Sequence, residues 1–168
     1  MPAQPIIERE SSSGEIFFKG RQIEWRMPDG GCTYVDLDKV VAIGEYTTDS
    51  GPFTDDWFLV FVFKSGAWEE VSVYTDGFQE LALYLTELFG IDFSKPFLAN
   101  STEWKSFVRY PKSLEGKELF VLTPPKGYKP PTTFLQNMKV ALGLGVYGKD
   151  WEVDLTEEIK AEIAKASG

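Results

Sequence analysis

Residues Trp57–Phe63 read Trp-Phe-Leu-Val-Phe-Val-Phe, seven apolar side chains without interruption. Their β-branched and aromatic character predicts a strand. Successive side chains of a strand point to opposite faces, so this strand is expected to be covered on both. Lys64, Ser65 and Gly66 supply a turn, and 68–74 follows as a second strand in which Val71 and Val73 oppose Glu70 and Ser72.

Period-two patterning extends upstream. Ile23, Trp25 and Met27 alternate with Gln22, Glu24 and Arg26, and pair with 16–18 across Lys19, Gly20 and Arg21 as a hairpin with one buried face. Pro28, Asp29, Gly30 and Gly31 form a turn, because proline presets its own φ and glycine tolerates positive φ. A strand at 32–37 and a third hairpin arm at 40–46 follow. Phe78, Leu81, Ala82, Leu85, Leu88 and Phe89 then recur at helical spacing up to Gly90, with Asp76 and Gln79 matching a capping box. Glu80, Thr86 and Glu87 form the expected wet face of that helix.

Beyond Gly90 the texture becomes irregular. Ser94, Lys95 and Pro96 break the chain, strands are expected at 104–110 and 118–122, and 124–131 is a proline-rich loop. Phe134, Leu135, Met138, Ala141 and Leu142 predict a short amphipathic helix. Leu155, Ile159, Ile163 and Ala166 predict a terminal one, capped by Asp154 with Glu157. The expected fold class is α+β: an antiparallel sheet or partial barrel closed by a helix, with a C-terminal α/β extension. Residues 1–95 form the first part and 96–168 an extension packed on it as one compact unit.

The order of strands at 15–19, 22–27, 32–37, 40–46, 57–63 and 67–74, with a further one at Ile6 and Ile7 and a helix at 77–90, resembles that of pleckstrin-homology-like domains. The resemblance implies a bent antiparallel sheet closed by a C-terminal helix, and a binding module rather than an enzyme. Lipid binders of that superfamily carry a basic pocket on the first hairpin, and Lys19, Arg21 and Arg26 are the residues here that match it.

Chemistry is narrowed most by a missing residue type. The chain of 168 residues has no histidine and one cysteine, so imidazole-dependent triads and the usual nitrogen and sulfur zinc sites are excluded. Thirteen Phe, seven Tyr and five Trp supply a core that needs neither disulfides nor metal. No apolar run reaches the roughly 18 residues of a spanning helix, and the first ten residues lack a signal-peptide core, so a cytoplasmic protein is expected. The sequon Asn100-Ser101-Thr102 then reads as an ordinary loop or cap. Cys32, in a predicted strand, reads as a buried structural thiol.

Charge is uneven. Residues 1–90 carry 6 basic and 16 acidic side chains, whereas 104–149 carry 8 basic and 2 acidic. The basic segment is interleaved with aromatics, a composition able to bind an anionic polymer, but the acidic first half repels polyanions at long range, so nucleic acid is disfavoured.

The sharpest local feature is 45–57, where Glu45, Asp49, Asp55 and Asp56 lie among three threonines and the aromatics Tyr46, Phe53 and Trp57. It can serve as a solvated loop, an acidic and aromatic face for a basic protein, or an oxygen-ligand cation site, though it lacks the regular spacing of an EF-hand. The expected partner-binding residues are Glu45, Asp49, Phe53, Asp55, Asp56 and Trp57. Residues 143–149 match G-x-G-x-x-G and most of a P-loop, but a helical stripe precedes them and Asp150 follows Lys149, so they read as a helix end and turn. Residues 124–131 read as a rigid connection ahead of a polyproline ligand.

The reading that unites these features is an acidic intracellular protein-binding module, in a specific version an immunity-type inhibitor of a basic partner, with no cofactor. The alternative classes are a histidine-free enzyme or hard-cation site using carboxylate pairs such as Asp55 with Asp56 or Asp36 with Asp38, and anionic-polymer binding through 104–149.

Overall fold

A computed structural model describes residues 4–5, 14–48, 56–95, 98, 104–129 and 151–168. Among the described residues the fold is α+β, with antiparallel sheets that remain open and two helices. The expected elements at 6–7 and 134–142, the sequon at 100–102, the glycines at 143–148 and the end of the proline-rich loop lie outside the described residues.

The central sheet has the order β7-β6-β5-β8, formed by β5 (Val40–Thr47), β6 (Trp57–Phe63), β7 (Trp68–Ser72) and β8 (Lys105–Tyr110). β6 is covered on both faces, as its uninterrupted apolar run predicts. Leu59 and Phe61 enter one hydrophobic core, and Phe58, Val60 and Val62 enter another. The first core is completed by a sheet of order β2-β3-β4, comprising β2 (Glu15–Lys19), β3 (Gln22–Arg26) and β4 (Cys32–Asp36), and by α1 (Phe78–Phe89). The second is completed by β9 (Phe120–Thr123), β10 (Glu152–Leu155) and α2 (Glu157–Ser167), with β1 (Gln4–Pro5) pairing β10.

Alternation in β2–β4 is strict. Ile16, Trp25 and Thr33 form one inward cross-strand row, and Ile23 and Val35 lie in the next. The same phase turns Cys32 and Tyr34 outward, so Cys32 is exposed, contrary to its expected burial. β5 does not pair with β4 as a third hairpin arm. A single 3-10 turn, Leu37–Lys39, redirects the chain, and β5 instead pairs with β6 and β8.

Helix α1 occupies the expected span, but its start is built differently. Gly77, with φ of 87°, takes the cap position with no side-chain cap bond, and the Asp76 backbone bridges to Gly14 and Ile16 instead of capping. Thr86, expected on the wet face, donates to Ala82 O and accepts from Phe93 N, tying the helix to the segment after it. β7 ends at Ser72, which is fully buried rather than solvent-facing. At the C-terminus Leu155 belongs to β10, not to the helix. Thr156 takes the cap position of α2, while Asp154 accepts from Leu155 N and Lys160 Nζ.

Among the described residues no helix is long and apolar enough to cross a membrane.

Candidate functional site

Glu45 is the one acid in β5, whose sequence is otherwise Val-Val-Ala-Ile-Gly-x-Tyr-Thr. Strand alternation places it on the same face as Ile43, beneath the β2–β4 and α1 layer, where it is 2% exposed. An isolated carboxylate at that depth is costly and demands partners. Its partners include the indole Nε1 of Trp57, which donates to Oε2 at 3.2 Å, and the guanidinium of Arg109, with Nη1 3.5 Å from Oε1.

Arg109 reaches Glu45 because β8 is irregular there. The pairing of β8 with β5 passes from Ile43–Tyr110 to Gly44–Val108, leaving Arg109 as the extra residue of a bulge, so that Val108 and Arg109 are both buried. Val108 enters the second core, whereas Arg109 Nη2 donates to the carbonyl of Asp92 and its Cζ sits 5.5 Å from the centre of the Phe93 ring. The ion pair thus joins β5, β8 and the segment after α1.

Above the pair is a partly enclosed recess of about 120 Å³. Glu45 and Arg109 line its floor, Trp57, Phe78 and Phe93 give it aromatic walls, and Tyr74 and Gln79 stand at its edge. Tyr74 is 52% exposed, packs edge-on to Trp57 with centroids 6.5 Å apart, and donates its hydroxyl to Asp56 Oδ1 at 2.6 Å. Asp56 also accepts through its backbone from Thr48 N. These contacts fix an acidic and aromatic rim over a buried ion pair.

The expected partner-binding residues therefore separate. Trp57 lines the recess and Asp56 adjoins it by accepting from the Tyr74 hydroxyl, whereas Asp49, Phe53 and Asp55 lie outside the described residues. Glu45 belongs to the floor instead of an exposed acidic face, because the apolar strand that carries it is buried along nearly its whole length. Arg109, Tyr74 and Phe93 were not singled out by the sequence. A lone charge inside an apolar strand is the available signal for Glu45 and, by demanding a counter-charge, for an arginine in another strand.

The other proposed constellations are dispersed. Asp36 Oδ1 accepts from Asp38 N and Oδ2 lies 3.2 Å from Lys39 Nζ, while Asp38 pairs with Arg21, so 36 and 38 do not form a shared carboxylate site. Arg26 is held by Glu24 at 2.6 Å and lies over Phe17 with Cζ 4.3 Å from the ring centre. Two of the three first-hairpin bases are thereby matched by carboxylates. Among the described residues no three acid or cysteine side chains come together in a way that would hold a metal ion. Arg109, counted with the basic segment, is buried away from any surface stripe.

No family model matches the chain, and neither a curated protein nor a solved structure is found to be similar to it.

Proposed function

We propose that this chain is an acidic protein-binding module whose contact surface is the rim formed by Asp56, Trp57 and Tyr74. The observation that carries this reading is the exposed Tyr74, oriented by its hydrogen bond to Asp56 and braced against Trp57 beside an open recess. Rigid aromatic side chains next to a pocket are the groups that anchor protein interfaces, because they bury large areas with few rotamers to freeze. The excess of acids in residues 1–90 steers a basic partner toward this half of the chain. An immunity-type role, neutralising a basic toxin, is the specific version of this reading.

The order of β2 to β7 followed by α1 supports the likeness to pleckstrin-homology-like domains, in which strand layers closed by a helix serve as binding scaffolds. The matched arginines of the first hairpin favour a protein over a lipid headgroup as the ligand. An exposed free thiol at Cys32 suits a reducing compartment such as the cytoplasm.

The test is a capture from native lysate at two salt concentrations, comparing the intact protein with an Asp56→Ala/Tyr74→Ala variant. A stoichiometric basic partner that is lost on adding salt and lost by the variant is the expected result. Capture of no specific partner, or equal capture by both proteins, overturns the assignment.

A further inference from the structure

We propose that the recess is a socket for a primary carboxamide, which in a protein partner is the side chain of Asn or Gln. The inference rests on the protein-binding reading and specifies the group that the partner inserts.

The floor holds one carboxylate and one guanidinium, both almost fully buried. Their charges offset, so an incoming ammonium meets Glu45 favourably and Arg109 unfavourably, and an incoming carboxylate meets the reverse. Either ion also loses its hydration on entering. A hydrocarbon avoids that cost and meets the apolar part of the lining, Leu59 and Val73, but gains nothing from the paired charges of the floor. A carboxamide is neutral and carries an acceptor oxygen and a donor NH₂ on adjacent positions of one plane. Set over this floor, its oxygen faces Arg109 and its NH₂ faces Glu45. The rings of Trp57 and Phe93 line the same recess, and a volume of about 120 Å³ accommodates a group of a few non-hydrogen atoms.

The indole N–H of Trp57 bonds Glu45 directly, so its NMR signal reports on the floor. The experiment titrates the intact ¹⁵N-labelled protein separately with propionamide, propionate and propylammonium. Propionamide is expected to shift the Trp57 indole signal saturably, with the weak affinity its size allows, and each ion to bind at least about tenfold more weakly. A Glu45→Gln variant leaves Arg109 as the only floor charge, so the preference should turn toward propionate. Because that substitution lies in the core, Gln79→Trp, at an exposed position on the edge, supplies a second arm: it should abolish the propionamide shift while leaving the rest of the spectrum in place.

No saturable shift, or an ion that binds as well as the amide, overturns the inference. So does an amide response that survives Gln79→Trp. Capture of a basic partner together with a flat amide titration removes the socket and leaves the protein-binding reading standing. Amide binding without any captured partner retains the socket and removes that reading.

Discussion

The two faces of the central sheet are made by the same strands and packed by different means. Toward α1 and β2–β4, the interior combines aliphatic and aromatic packing with the Glu45–Arg109 pair and opens into a recess. Toward α2 and β9–β10, Tyr46 stacks on Phe58 at 5.2 Å and meets Phe120 edge-on at 5.7 Å, and Trp68 and Trp104 pack around Phe120. Three consecutive residues show the division: Gly44 receives Leu119 on one face, Glu45 meets Arg109 on the other, and Tyr46 returns to the first. A strand shared by two interiors can therefore carry a polar device on one side while the other side supplies much of the packing that holds it in place.

Substitutions in β6 test how firmly the faces are joined. Phe58→Ala and Phe61→Ala each empty a buried aromatic position on opposite faces and should cost about 3–5 kcal/mol. Because both residues lie on one strand, urea unfolding followed by Trp fluorescence and by far-UV circular dichroism should remain a single coincident transition in either variant. Separate transitions would show that the two interiors are independent units.

The ion pair sharpens the contrast next. Glu45→Leu or Arg109→Leu alone strands a buried charge and should cost about 3 kcal/mol or more, whereas the double variant should recover much of that loss. A double-mutant cycle from urea midpoints measures the coupling, and additive losses would remove the pair from the account of this face.

Gly44→Ala probes the boundary between the faces. An added Cβ would lie 2.6 Å from Leu119 Cδ2 and 2.8 Å from the Phe107 carbonyl, and the backbone atom cannot swing aside, so a loss of about 1–3 kcal/mol is expected. A Leu119→Ala background relieves only the side-chain clash and should recover part of the loss.

The smallest effect is electrostatic. The hydroxyl of Ser94 and the ammonium of Lys95 hold the Asp92 carboxyl below its ordinary value, beside the carbonyl that receives Arg109. A carboxyl depressed in the folded state adds stability that is present above the unfolded value and lost as pH falls through the folded one. Ser94→Ala should therefore make the acid-side loss of stability shallower, measured as urea midpoints between neutral pH and about pH 3. The change should be slight, because the group is solvent-exposed, and an unchanged slope would remove this contribution.

The fold was legible where one periodicity ran long enough. The apolar spacing from Phe78 to Phe89 located α1, and the seven-residue apolar run located β6 together with its two covered faces. It was least legible at β10, where Glu-Val-Asp-Leu is too short to separate from the helix that follows, so Leu155 read as helical. Asp76 and Gln79 matched a capping pattern, yet the long-range bridge of the Asp76 backbone to β2 left Gly77 as the cap. Half of the candidate site was legible in the same uneven way: Asp56 and Trp57 stood out as an acidic and aromatic neighbourhood, but Glu45 read as a surface acid and Arg109 as part of a basic segment.

By itself the sequence determined strand and helix periods, turn positions, the excluded imidazole chemistry and the need for cover on both sides of β6. These follow from local geometry and composition, which neighbouring residues specify alone. Only the tertiary structure decided that β8 lies against β5, that its bulge turns Arg109 inward, and that Glu45 and Arg109 meet beneath Trp57. Burial of a charge depends on where a distant counter-charge arrives, and that is a property of strand pairing across the chain, not of either segment.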